Sequence, residues 1–343
     1  MKSKKFLNSI SKILTTRNFS YVELDTVIPL DYINKKTSDN FRNSMFAFTN
    51  KNNEFALRSD LSVMSLLKYV ESGSKKKEKW WYKGEVFRRN ENSENPVYNQ
   101  LGFEILGSNN QEKDDEEILN SAINIVNKLN LKSVEVVIGN VNIFRQFLYK
   151  IKNLPKRWAS LLLRTHSNSD YFKELLYRIK SSNDLDDSII NYDTKLYKKL
   201  KKMDQDKIIG RRKIRDIIRR FEEKKITDPR LPSEGRKISS LIKKFLKISN
   251  SPLNKVKNRL NNFFKENDMK INIKYLFPKS LEKKNSIKTN FKIFETLDYY
   301  DGLTFKIFAG NSKRVICSGG RLKTSLMKKN VSICGAAIDL KNL

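Results

Sequence analysis

Alternation of apolar and polar residues, the mark of a half-buried strand, recurs near both ends of the chain and gives way between them to a long stretch of helical period. In the run IFETLDYYDGLTFKIF at 293–308, Leu303, Phe305 and Ile307 alternate with Thr304, Lys306 and Phe308, and Asp301-Gly302 supplies turn chemistry before the strand. Nearer the start, YVELDTVIPL reads as a strand and MFAFTNKNNEFALRSD as a hairpin with a polar KNN tip. A helix is predicted over 61–70, then two strands, WWYKGEVFRR and YNQLGFEILG, joined by the polar loop NENSENPV. DDEEILNSAINIVNKLNL reads as a helix with an acidic first turn leading to a strand over Ser133–Gly139. From about 141 to 266 the period is helical, and from about 267 strands return before a short closing helix. A sheet begun in one segment and completed in another implies one domain interrupted by an insertion. The expectation is an α+β core over 1–140 and 267–343 with a mostly helical insertion over 141–266.

A chain of 343 residues with 38% hydrophobic content can bury a core of that size. No run of eighteen apolar residues occurs, so no membrane span is expected. The basic N-terminus interrupts its apolar residues and lacks a small-residue cleavage site, so it reads as a helix, not a signal peptide. Two cysteines, Cys317 and Cys334, and one histidine, His166, argue against a disulfide scaffold and a Cys/His metal cluster. Both cysteines read as small core residues; a cytoplasmic compartment and no metal or other cofactor are expected. The net charge of +31 invites a nucleic-acid reading, but its lysines run from end to end. The densest block, GRRKIRDIIRRFEEKK at 210–225, places Ile214, Ile217, Ile218 and Phe221 at helical spacing, which is the pattern of a core-facing helix with a solvated basic face. Nucleic acid is therefore not the expected partner, and an RNA-binding alternative rests on that helix alone.

Five stretches, FALRSDLSV, KGEVFRR, QLGFEILG, LDYYDGLTF and SGGRL, occur in the order and approximate spacing of the catalytic core of histidyl-tRNA synthetase. Over roughly 1–140 and 290–343 the chain resembles that family, which implies a class II aminoacyl-tRNA synthetase-like antiparallel sheet flanked by helices. Adenylation in the family needs cations around ATP, and Arg88 matches one of its arginines. The position of a second, just before LDYY, is Glu295, and that of a third, in CGAAIDLKNL, is Asn342. An anion beside a triphosphate would cost several kcal/mol of transition-state stabilisation, by the scale of roughly 2.7–4 kcal/mol for losing one donor. The sequence ends at Leu343, just after this region, so no anticodon-binding domain is expected. In these departures, and in VVIGNVNIFRQFLYKIKNLPKRW, the chain is more similar to the regulatory subunits of ATP phosphoribosyltransferase, synthetase paralogues that work with a short catalytic subunit in the first step of histidine biosynthesis. The resemblance implies a non-catalytic partner of that subunit, a hetero-oligomer with self-association, and histidine as an allosteric ligand mediating feedback inhibition. A degenerate aminoacyl ligase is the enzyme alternative.

The resemblance also implies a histidine-binding set: Asp60, Ser62, Arg88, Gln100, Glu104, Tyr299 and Tyr300, with no catalytic residue. Independently, a strand would put Gln100, Gly102 and Glu104 on one face, with the glycine leaving room for a ligand. The competing reading of Asp60 and Glu104 is a pair of carboxylates satisfied by Arg58 or Arg88. SGGRL reads as a tight turn after the strand RVIC; because Leu322 and Lys323 depart from the family's segment there, Arg321 falls outside the expected site.

Overall fold

The computed structural model describes residues 2–30, 45–89, 95–107, 109–165, 169–181, 198–209, 212–218, 232–273, 275–281, 287–291, 300–310, 314–326 and 329–342. In chain order the elements are α1 (Lys2–Thr16), β1 (Ser20–Tyr21), β2 (Val27–Pro29), β3 (Ala47–Asn50), β4 (Asn53–Leu57), α2 (Leu61–Glu71), β5 (Glu78–Phe87), β6 (Val97–Leu106), α3 (Gln111–Lys128), β7 (Glu135–Asn140) and α4 (Val141–Lys150). They continue with α5 (Lys156–Thr165), α6 (Ser169–Ser181), β8 (Ile208–Ile209), β9 (Arg212–Lys213), α7 (Pro232–Ser249), α8 (Leu253–Glu266), β10 (Ile287–Thr289), β11 (Tyr300–Ala309), β12 (Arg314–Leu326) and β13 (Lys329–Asp339).

The chain divides into two compact units, Met1–Lys150 with Phe245–Leu343, and Ile151–Lys244. The first holds an eight-stranded sheet in the order β1-β5-β6-β13-β12-β11-β7-β10, antiparallel except for the two edge pairs β1–β5 and β10–β7. A small sheet, β2-β4-β3, accompanies it. The strands from the two chain segments interleave, with β13 paired between β6 and β12. The second unit is narrower than the 141–266 stretch of helical period, because phenylalanines tie the flanking helices to the sheet unit. Phe147 of α4 stacks on Phe245 of α7 at 4.0 Å, and Phe263 and Phe264 of α8 close around Phe245 at 6.1 and 6.2 Å.

Within the second unit, Trp158 and Leu162 of α5 and Phe172, Leu175 and Ile179 of α6 are buried, and Asn153 donates to Glu234 Oε1 at 2.8 Å. The basic block expected to be one helix over 210–225 instead contributes β9, paired to β8, because Ile208 and Ile209 offer a ladder before the helical period begins. Ile214 and Ile218 are buried with Leu200, on the core-facing side that their spacing implied. Phe221 lies outside the described residues.

Local chemistry explains the element starts near the sheet. Asp60 caps α2, its Oδ1 accepting from the amides of Ser62 at 2.8 Å and Val63 at 3.2 Å. Asn110 caps α3, so that helix opens before the acidic run, with Glu112 and Asp114 in its first turn. Two expected turns are instead strand interior. Asp301 and Gly302 lie inside β11, where Gly302 at φ 135° accommodates a register shift between Tyr300 and Thr304, the signature of a bulge. Gly319 and Gly320 likewise lie inside β12, where side chains would collide: a Cβ on Gly319 would sit 2.3 Å from the Gly335 carbonyl oxygen.

Among the described residues no helix is long and apolar enough to cross a membrane. Cys317 and Cys334 are free thiols, both buried. The aromatic cluster sets a test of the fold: Phe245→Ala removes a fully buried ring and should lower the unfolding free energy by about 3–5 kcal/mol in urea denaturation.

Candidate functional site

Strand pleat decides what the sheet presents. Register aligns Trp80, Glu104, Gly335, Gly320 and Thr304 in one row across β5, β6, β13, β12 and β11, and Tyr82, Gly102, Ala337, Ser318 and Lys306 in the next. Gln100, Gly102 and Glu104 therefore share a face, as their even spacing predicted. On that face lies a cavity of about 200 Å³, lined among others by Asp60, Ser62, Arg88, Gln100, Glu104 and Tyr300. Sites for drug-sized ligands run to roughly 300–1,000 Å³, so this one suits something smaller. Six of the seven expected residues thus come together; Tyr299, like Glu295, lies outside the described residues.

The glycines in the row shape the cavity. A Cβ on Gly335 would meet Glu104 Cγ at 2.4 Å, and one on Gly320 would meet the Tyr300 ring at 2.9 Å, so Glu104 and Tyr300 occupy space that side chains would otherwise fill. Gly102 does not leave room for a ligand: the Tyr82 ring covers it, 2.3 Å from where a Cβ would stand. Arg145 of α4 holds Tyr300 from outside, donating to its carbonyl oxygen at 3.0 Å and to Asp301 Oδ1 at 3.0 Å.

Charge in the cavity is mostly negative. Asp60, Glu104 and Asp339 line it against Arg88. Arg88 donates through Nε to the Ser59 carbonyl at 2.7 Å and lies 3.6 Å from Asp60 Oδ2, while Asn342 donates to the Val315 carbonyl at 2.9 Å and to Asp339 Oδ2 at 3.1 Å. Arg58 goes elsewhere, to the carbonyls of Leu24, Asp25 and Glu85. The competing reading thus holds for Asp60, through Arg88, but not for Glu104. Glu104 is fully buried; its Oε2 accepts from Ser65, and no hydrogen bond reaches its Oε1 among the described residues. Burial drives its carboxyl from 4.5 up to about 7, against the pull of the nearby Ser62, Ser65 and Tyr82 hydroxyls. Among the described residues no group of three or more His, Cys, Asp or Glu could hold a metal ion.

Arg321 points away from the cavity. Its Nε donates to Asp115 Oδ1 at 2.7 Å, and its Nη1 to Ser332 Oγ at 2.9 Å, while Tyr275 donates to Asp115 Oδ2 at 2.9 Å. Burial, partly offset by Arg321, keeps the Asp115 carboxyl above its ordinary value. Sequence reasoning missed Ser65, Tyr82 and Arg145. Tyr82 and Glu104 do share strand parity, a legible signal, whereas Ser65 and Arg145 reach the site through helix docking, which carries none.

An antiparallel sheet that interleaves both chain segments, with this pocket on one face, defines the catalytic-core fold of class II aminoacyl-tRNA synthetases. A sequence profile of histidyl-tRNA synthetases matches residues 2–223, and the chain belongs to that family. A histidine–tRNA ligase from Methanococcus vannielii is 25% identical over 332 residues, 94% of this chain and 66% of the ligase, so the chain spans just under two thirds of that relative's length. An ATP phosphoribosyltransferase regulatory subunit from Rhizobium rhizogenes is 24% identical over 84% of this chain and 82% of its own. Two solved structures share the fold: an ATP phosphoribosyltransferase regulatory subunit/histidyl-tRNA synthetase from Bacillus halodurans (TM-score 0.64, 14% identity, 99% of this chain and 77% of that one), and a chain of the ATP phosphoribosyl transferase complex from Thermotoga maritima (TM-score 0.53, 17% identity, 98% and 96%).

Glu104 links the site to stability. Below about 4.5 it is protonated in both folded and unfolded chains; between 4.5 and about 7 only the folded chain keeps the proton, so stability falls as pH rises and the loss is complete above 7. Between pH 4.5 and 8 the parent should lose about 3 kcal/mol more unfolding free energy than Glu104→Gln in urea titrations.

Proposed function

We propose that the chain is a non-catalytic regulatory subunit of ATP phosphoribosyltransferase that binds histidine in the Glu104 cavity and transmits feedback inhibition to a short catalytic subunit. The observation that carries this reading is the charge of the cavity: a triphosphate would face Asp60, Glu104 and Asp339, with Arg88 already engaged by Ser59 and Asp60 and a neutral Asn342 spent on the wall. Activation of an amino acid by ATP needs the opposite balance. A small ligand bearing an ammonium or an imidazole N–H suits the site better, since Glu104 and Gln100 both line the cavity as acceptors for it. The relatives named as regulatory subunits, and the likeness to the Thermotoga maritima complex, support the partnership.

The purified chain alone should exchange no pyrophosphate into ATP with histidine present, and it should raise the activity of a short ATP phosphoribosyltransferase when the two are mixed. Histidine-dependent exchange by the chain alone would overturn the reading in favour of a ligase. In the mixed complex, Glu104→Gln should shift the histidine inhibition curve about tenfold or more, the loss of one charge-assisted bond of roughly 1.5–3 kcal/mol. The activity ratio with and without histidine is the measurement.

A further inference from the structure

The ladder between β7 and β11 stops short of the cavity. It runs from Glu135 opposite Phe308 to Asn140 opposite Leu303, and there β7 ends, because Asn140 caps α4 by accepting at Oδ1 from the amides of Asn142 at 3.1 Å and Ile143 at 3.3 Å. Tyr300, Asp301 and Gly302 therefore lie past the end of that neighbour. On the other side β12 pairs Leu322 with Tyr300 and Gly320 with Thr304, so Asp301, Gly302 and Leu303 stand opposite Arg321 alone. The opening of β11 is thus held by the sheet on one side only, and across an irregularity. Arg145 reaches it from the helix into which β7 has turned: Nη2 donates to the Tyr300 carbonyl oxygen at 3.0 Å, and Nη1 donates to Asp301 Oδ1 at 3.0 Å and Asn142 Oδ1 at 2.7 Å.

We propose that Arg145, which does not itself line the cavity, is a positioning residue for it: it takes the place of the missing β7 ladder beside the opening of β11 and so keeps the Tyr300 ring in the cavity wall. The helix that carries it has little freedom to follow a loose strand, since Phe144 and Phe147 are fully buried and Phe147 stacks on Phe245 at 4.0 Å. A guanidinium presents its donors in a fixed plane, so one side chain meets a carbonyl and a carboxylate together, which an ammonium on a flexible stem does less well. The ring it places is closely fitted: it packs against the apolar cluster that includes Leu322 and Ile333, and it lies beside Gly320, which also lines the cavity. With side-chain exposures of 32% and 29%, the Arg145–Asp301 pair contributes little to stability by itself. Its effect falls on where β11 begins, and through the strand on the ring.

The test reads position and binding separately. Fluorotyrosine is placed at position 300 of the full-length chain and followed by fluorine NMR. The parent should show one resonance displaced from that of free fluorotyrosine; Arg145→Ala should move it at least halfway back, and Arg145→Lys should move it less, since a lysine restores one donor of the fork. Should the alanine variant not fold, Arg145→Met, which keeps a long stem without the donors, decides. An unmoved resonance in a folded variant without donors overturns the proposal. Calorimetry with L-histidine gives the binding arm, and only the choice of that probe rests on the histidine reading above. Arg145→Ala should bind about tenfold more weakly at the parent's stoichiometry, with Arg145→Lys between the two. Parent affinity in Arg145→Ala, whether at full stoichiometry or at the reduced one that unfolded molecules give, would mark Arg145 as merely structural and overturn the proposal. A moved resonance with no histidine binding by the parent would uphold the positioning and discard histidine as the ligand.

Discussion

The pocket depends on two residues that have no side chains. Gly335 and Gly320 face each other across β13 and β12, and at either one a Cβ would come within 3 Å of its neighbours. Their bare backbone lets Glu104 lean from one side and Tyr300 from the other, so that a carboxyl and an aromatic ring converge over the centre of the sheet. Interior packing near crystal density leaves few such spaces unless the chain reserves them. Everything else in the site is arranged around that reserved space: Tyr82 seals Gly102 beneath it, and Arg145 anchors the strand that carries Tyr300.

The sheet solves the problem of buried charge differently on its two faces. Away from the pocket, Asp115 is paired with Arg321 and receives the Tyr275 hydroxyl, so its burial is compensated and the network is closed. Toward the pocket, Glu104 has hydroxyls in place of a cation, and among the described residues no hydrogen bond reaches its Oε1. A closed network rigidifies, whereas an open one stores an unmet hydrogen-bond capacity that a ligand can fill. That difference, more than the identity of either carboxylate, sets Glu104 apart from Asp115.

The same contrast bears on how a synthetase fold can change its task. A site for adenylation must gather cations around a triphosphate, and the described wall here carries Asp339 and Asn342 bonded to each other, with Arg88 spent on Ser59 and Asp60. Those two residues lie at the end of β13 and just beyond it, where Asp339 pairs with Gln100, while Glu104 and the glycines occupy a row further along the strands.

Much of this was legible in the amino-acid order. Alternation along Leu303, Phe305 and Ile307 and the even spacing of Gln100 and Glu104 determined strands and faces, because side chains on a strand alternate whatever lies beyond it. Motif order located six of the seven expected pocket residues that the structure brings to one cavity. Tertiary structure alone decided the rest. The glycines of SGGRL and the Asp301-Gly302 pair look like turns in isolation, and they become strand interior only because β13 and Tyr300 fill the space beside them. Where the sheet unit ends was set by Phe147 stacking on Phe245, nearly a hundred residues along the chain, a contact that no local period encodes. Whether a carboxylate is paired, as Asp115 is, or has an oxygen that no hydrogen bond reaches among the described residues, as Glu104 does, follows from which helix docks over it, since hydrogen bonds form between neighbours in space and not in sequence.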